Sequence, residues 1–316
     1  MNKKSNKPPV KQMKLKALFL ILPLALCLPA QAAEKGIVPA GAKLEHLFTR
    51  SAAIKGGLTE GPAVAPDGSI YFSDIPMGKE GGAGMILRHD PRNGKTTVFK
   101  SDSGKSNGLM FDSAGRLLGC QGSGFGKRRV VAWDIKTGEE TAIAGKFEGK
   151  RFNAPNDLAI DRKGRIYFSD PRYVGHETRE LEHRAVYRVD TDGKVHEITR
   201  QVEKPNGLAL SPDQKTLYVA DHNNGTDRID PDLAPPKQGS MKLYAFGLDD
   251  KGLVSGPRRT LIDFGAEKGI DGMTTDSNGN LYLALRSSTR PGILIVDPAG
   301  KELGHISTRK APGLPE

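Results

Sequence analysis

The chain has two cysteines in 316 residues. Cys27 lies in an apolar leader, so Cys120 is left without a partner once that leader is removed, and a disulfide framework is excluded. Stability must then come from a packed core, and a lone strand cysteine reads as a small buried hydrophobe with no chemical role. Aromatics, at 6%, are too few for a stacking platform. No apolar stretch reaches the about 20 residues of a membrane span, and no long helical periodicity runs through the mature chain. A G-x-S-x-G elbow, a P-loop and an H-E-x-x-H motif are all missing, which removes the commonest serine-hydrolase, nucleotide and zinc-protease readings.

The excess of one charge sign is also smaller than it looks. Lys+Arg total 47 against 37 Asp+Glu, a net +10. Residues 14–32, K-L-K-A-L-F-L-I-L-P-L-A-L-C-L-P-A-Q-A, combine a basic start, an apolar stretch from Ala17 to Leu28 and a small-residue A-Q-A. This is the pattern of a signal peptide, 1–32, cleaved near Ala32, and it predicts a periplasmic or secreted protein. Met13 is an alternative start, and Leu26 stands where a lipoprotein signal at Cys27 would want a small residue. The leader holds six lysines and no acid, so the mature charge is 10 − 6 = +4. Nucleic acid is therefore not an expected partner.

What the chain does have is turns and a repeat. Its 38 glycines and 21 prolines lean toward an all-β chain. One unit recurs five times, starting at Glu60, Asn107, Asn156, Asn206 and Asp271, as in E-G-P-A-V-A-P-D-G-S-I-Y-F-S-D at 60–74 and N-D-L-A-I-D-R-K-G-R-I-Y-F-S-D at 156–170. The starts are 47, 49, 50 and 65 residues apart. A period near 50 with short apolar strands marks a propeller, one blade per repeat. D-x-x-G at 112–115, 161–164 and 276–279 supplies one hairpin turn. A second set at 90–94, 134–138, 190–193, 249–252 and 297–300 supplies another, making four-stranded blades. A sixth start would fall near residue ~320 by the same period. Leu44–Thr49 reads as a strand donated to the last blade. The expectation for 33–316 is a single six-bladed β-propeller domain whose final blade is mostly missing from this sequence, with a native five-bladed ring as the alternative. Two long polar loops, 171–184 and 222–240, are placed to build a mouth. Trp133 reads as blade-to-blade packing, and the 127–129 and 162–163 basic runs as turn charges.

The first residue of each copy occupies the same slot, the entry to a blade's inner strand. Five oxygen-bearing side chains would then point at one axial spot, a ring suited to a hard cation such as calcium or magnesium. Zinc prefers His or Cys, and neither stands in the ring. Asn-Gly before a strand is also an ordinary turn. The acids replacing Asn in the first and fifth copies are what favour a functional ring.

E-G-P at 60–62, P-N-D at 155–157, P-N-G-L at 205–208, D-G-M at 271–273 and L-G-H-I-S-T at 303–308, in that order, resemble the senescence marker protein/gluconolactonase/luciferin-regenerating enzyme family over residues 44–316. The resemblance implies a six-bladed propeller with one divalent metal in its channel that hydrolyses sugar lactones; relatives act on other lactones and some organophosphates. By motif it implies Glu60, Asn206 and Asp271 as metal ligands and Asn156 as a further ligand or substrate contact. It makes Asp271 the candidate base, Arg151 a grip on substrate hydroxyls and Tyr173 a pocket aromatic. Asn107 joins the substrate side from the ring argument, and His222, after a strand end, is a mouth residue that could shuttle protons. His176 and His183 read as solvated. Calcium is the first-choice ion, with magnesium, zinc or manganese as others. The partner implied is a small lactone; an arylesterase or phosphotriesterase on the same metal needs a more apolar pocket, and a non-catalytic propeller binding a sugar, peptide or protein is the reading from another class.

Overall fold

A computed structural model describes residues 36–51, 54, 56–76, 82–227 and 236–309. The leader and 228–235 of the second long loop lie outside the described residues. Every regular element described is a strand, and none is a helix long and apolar enough to cross a membrane.

The predicted turns send each chain segment back on itself. In the first-hairpin turn of the second copy, Gly115 N donates to the Asp112 carbonyl (3.0 Å). Asp112 Oδ1 also accepts from Ala114 N and Arg116 N (3.0 and 2.9 Å). Gly115 takes φ 78°, the left-handed region glycine reaches without strain. Asp161–Gly164 and Asp276–Gly279 repeat the carbonyl bond at 2.9 and 3.0 Å.

Five antiparallel four-stranded blades result, each in chain order. Blade 1 holds β1 (Leu58–Val64), β2 (Ile70–Ile75), β3 (Met85–Asp90) and β4 (Lys95–Lys100). Blade 2 holds β5 (Ser106–Phe111), β6 (Leu117–Gln121), β7 (Arg129–Trp133) and β8 (Glu140–Ala144), followed by a small hairpin of β9 (Lys146–Phe147) and β10 (Lys150–Arg151). Blade 3 holds β11 (Leu158–Ile160), β12 (Ile166–Asp170), β13 (Ala185–Val189) and β14 (Val195–Thr199). Blade 4 holds β15 (Pro205–Leu210), β16 (Thr216–His222), β17 (Met241–Gly247) and β18 (Arg259–Asp263). Blade 5 holds β19 (Ile270–Thr275), β20 (Leu281–Leu285), β21 (Gly292–Val296) and β22 (Glu302–Ser307). The all-β propeller arrangement is as expected, with five blades among the described residues.

The core lies between blades. Leu117, Val131 and Trp133 of blade 2 pack on Ala63, Tyr71 and Ile86 of blade 1. Leu118, Cys120 and Val130 pack on Phe168 and Tyr187 of blade 3. Middle strands are therefore covered on both faces, which is why β6, β12 and β13 are buried throughout and read as continuous rather than alternating runs.

The aspartate that closes several copies fastens the loop entering its own blade. Asp170, fully buried, accepts from Asn153 N (2.8 Å) and Ala154 N (2.6 Å). Asp221 accepts from Lys204 N (2.9 Å), and Asp74 from Gly57 N (3.1 Å). In blade 2 Gln121 does the complementary job, donating Nε2 to the Ser103 carbonyl (3.0 Å).

One expectation is corrected. Leu44–Thr49 forms no strand. Phe48 packs on Phe72 of β2 (ring centroids 5.8 Å), and Arg50 pairs with buried Asp74 (2.9 Å). Side-chain contacts to blade 1 hold this segment in place of a backbone ladder.

Candidate active site

Four of the five inner strands begin irregularly. The pairing register slips between Glu60 and Ala63, Ser106 and Leu109, Pro205 and Leu208, and Ile270 and Met273. A bulge of this kind re-aims side chains at a strand end. Asn107, Asn206 and Asp271 sit in these bulges, and Glu60 sits at the edge of one.

The glycine that follows lets neighbouring inner strands touch. A Cβ on Gly108 would lie 2.5 Å from Asp157 Oδ1 and 2.9 Å from the Asn156 carbonyl. One on Gly207 would lie 2.5 Å from the Asp271 carbonyl and 2.8 Å from Gly272 Cα. In blade 3 Asp157 takes the glycine's slot, and its carboxylate accepts from Leu208 N of blade 4 and its own Leu158 N (both 2.9 Å). Burial pushes the Asp157 carboxyl up to about 7.

The strands converge on a cavity of about 730 Å³ whose lining includes Glu60, Asn107, Asn156, Asn206 and Asp271. Tyr173 and His222 line it as well. Arg151 does not: it lies exposed on β10 and donates to the Lys127 carbonyl (3.1 Å). The long loops do build the mouth, through Tyr173–His176 on one side and Asn224 and Thr226 on the other. His176 is exposed and lies tilted against exposed Phe125 at the rim (4.3 Å), whereas His183 is half-buried and bonded to Glu197 (2.7 Å).

Burial, then the charges of Asp271 and Asp157, push the Glu60 carboxyl up to about 8, with Arg286 opposing. Arg286 pairs with Asp271 (2.8 Å) and lines the cavity. The sequence reading missed it. A signal was available: it directly follows the fifth copy, as Ile75, Gly122 and His222 follow theirs, and all four line the cavity. Antiparallel pairing sets this slot opposite the residue two before the ring slot of the same blade: Ile75 pairs with Leu58, and Arg286 N donates to the Gly269 carbonyl (2.9 Å).

A chain of hydrogen bonds crosses from blade 3 to blade 4. Asn206 Nδ2 donates to Tyr173 Oη (3.0 Å), and Tyr173 Oη donates to the His222 carbonyl (3.1 Å). Burial raises the Tyr173 phenol well above its ordinary value and lowers His222 below its own. A neutral His222 donates Nδ1–H to the Ile270 carbonyl (3.0 Å), leaving Nε2 as an acceptor.

Among the described residues no three His, Cys, Asp or Glu side chains are grouped to hold a metal. The donor set is two carboxylates and amide oxygens, which is the chemistry of a hard cation. Burial and the neighbouring Asp271 charge, which raise Glu60, are what such a cation would offset, so the residues fit a calcium-like ion.

Comparison with known proteins is consistent with this geometry. Residues 58–313 match the model of the SMP-30/Gluconolactonase/LRE-like region. A gluconolactonase of Zymomonas mobilis is 30% identical over 282 residues, 81% of this chain and 71% of that protein. The lactonase drp35 of Staphylococcus epidermidis is 27% identical over 256 residues, 80% of this chain and 70% of that protein. The structure of a gluconolactonase from Xanthomonas campestris superposes with a TM-score of 0.67 at 28% identity, covering 81% of this chain and 78% of that one.

Proposed function

The chain belongs to the SMP-30/Gluconolactonase/LRE-like family, and from that premise we propose that it is a metal-dependent hydrolase that opens a lactone ring to the hydroxy acid. The observation that carries the reading is the meeting of Glu60 and Asp271 with Asn107, Asn156 and Asn206 on one cavity. Glu60, Asn206, Asp271 and Asn156 would hold the ion, calcium first. When bound, it supplies Lewis-acid polarisation of the lactone carbonyl.

The protein groups then divide the remaining work. Asp271 orients the attacking water and takes its proton as the new C–O bond forms. The Asn107 and Asn156 amides hold ring oxygens. His222 Nε2 accepts the proton onward and returns one to the alkoxide as the ring C–O bond breaks, yielding the hydroxy acid, whose carboxyl proton is then lost to solvent. Arg286, paired with Asp271 (2.8 Å), holds that carboxylate in place at the cavity wall.

The test is acid release from glucono-δ-lactone with calcium and then with chelator. Turnover should need the ion, and Asp271→Asn should lower kcat/KM by about 10²-fold or more. Aryl esters belong in the same assay, because Leu58, Ile75, Phe125 and Val174 give the mouth an apolar side. No ion-dependent turnover of either class would favour a binding propeller instead.

The same reading takes the ring as six-bladed. Gly61, Gly108 and Gly207 each abut the next inner strand, whereas Gly272 meets nothing within 4 Å; a sixth inner strand would take that step. It also places the reaction outside the cytoplasm, on the strength of the leader pattern.

A further inference from the structure

The charged side chains that reach the cavity are accounted for by one another, with one exception. Arg286 answers Asp271 and Glu60. Lys105, only 8% exposed, also lines the cavity, yet among the described residues its ammonium has no hydrogen-bond or ion-pair partner. Glu177 is the one acid acting on it by charge. That carboxylate is already engaged: Oε1 accepts from Gly124 N (2.9 Å) and Phe125 N (3.1 Å), and Oε2 from Gly124 N (3.1 Å).

The backbone holds Lys105 in this position against its preference. Its φ is 53°, in the left-handed region that disfavours side-chain-bearing residues. The conformation is pinned from both sides, by Lys105 N donating to the Ala83 carbonyl (2.6 Å) and the Lys105 carbonyl accepting from Gly122 N (3.0 Å). Nζ lies beside the rim, 3.7 Å from where a Cβ on Gly124 would stand. An ammonium that lines a cavity, with its one nearby acid already bonded to backbone N–H groups, is open to counter-charge from a ligand.

We propose that Lys105 forms an anion subsite in the cavity, and that the substrate is a lactone carrying an anionic oxygen group, carboxylate or phosphate, away from the ring carbonyl. The substrate class rests on the lactonase reading; the anion subsite itself does not. Product-like acids test it by titration calorimetry without any turnover: gluconate, glucarate (a second carboxylate) and gluconate 6-phosphate.

The wild type should bind one of the two acids with a second anionic group about 10-fold or more tighter than gluconate, as expected of a charge-assisted hydrogen bond. The preferred acid tells carboxylate from phosphate. Lys105→Met should bring the preferred acid's affinity down to that of gluconate, and Lys105→Arg should keep part of the gain. If Lys105→Met fails to fold, Lys105→Gln carries the same comparison. No gain over gluconate in the wild type, or a gain that survives loss of the cation, overturns the subsite. Absent turnover of every lactone, with the gain intact, would overturn the lactonase reading alone.

Discussion

The His222 carbonyl can only accept, so the Tyr173 hydroxyl gives its hydrogen there (3.1 Å) and turns a lone pair to Asn206. Asn206 must answer with its NH₂ group, which leaves Oδ1 for the cavity. The orientation of the amide thus follows from donor and acceptor polarity along three residues. On the proposed reading Tyr173 then acts as a positioning residue for Asn206, the proposed cation ligand, rather than only as a pocket aromatic. Its ring stays anchored without the hydroxyl, because Lys204 Nζ sits 4.3 Å from its centroid. Tyr173→Phe should therefore leave the melting temperature nearly unchanged while weakening calcium binding by roughly 10-fold, as loss of a supporting hydrogen bond does at other metal sites. Calorimetric titration of calcium into both proteins decides it, and equal affinities would remove Tyr173 from that role.

Strands carry the same logic at larger scale, since the inner-strand glycines set how closely blades approach the axis. Gly207→Ala puts a Cβ 2.5 Å from the Asp271 carbonyl and 2.8 Å from Gly272 Cα, both backbone atoms that cannot swing away. Destabilisation of about 1–3 kcal/mol is expected in denaturant unfolding, with calcium binding weakened because Asp271 moves. A variant as stable as wild type would show the blades to be loosely docked. The blades themselves are legible in the sequence because each turn is local: aspartate, glycine and a fixed offset suffice. The ring residues Glu60, Asn107, Asn156, Asn206 and Asp271 are legible for the same reason, as one repeated slot. What is not legible is contact between blades. Arg128 reads as a turn charge, yet it is 2% exposed and donates Nε to the Phe152 carbonyl (2.7 Å). Arg151 reads by motif as a substrate grip, yet the β9–β10 hairpin carries it to the surface. Lys105 and Arg286 reach the cavity from slots whose importance appears only once neighbouring blades are in place.

Across the whole molecule, the axis brings together acids from blades 1, 3 and 5 that are more than 90 residues apart in sequence. Glu60 reports on that meeting, for its carboxyl is held at about 8 against an ordinary 4.5, first by burial and then by Asp271 and Asp157. A carboxyl with a raised folded pKa binds its proton more tightly in the folded state. Its contribution to stability is complete below about 4.5 and is lost as pH rises through about 8. In chelator, the melting temperature of the wild type should therefore fall over that window, and Glu60→Gln should flatten the fall. Added calcium at about pH 8 should restore the wild type, since a ligand bound only by the folded state stabilises it by mass action. The same addition should do little for Glu60→Gln, which lacks the carboxylate. Parallel pH profiles for the two proteins in chelator would mean that the acids of the three blades do not feel one another, and the axial site would lose its electrostatic basis.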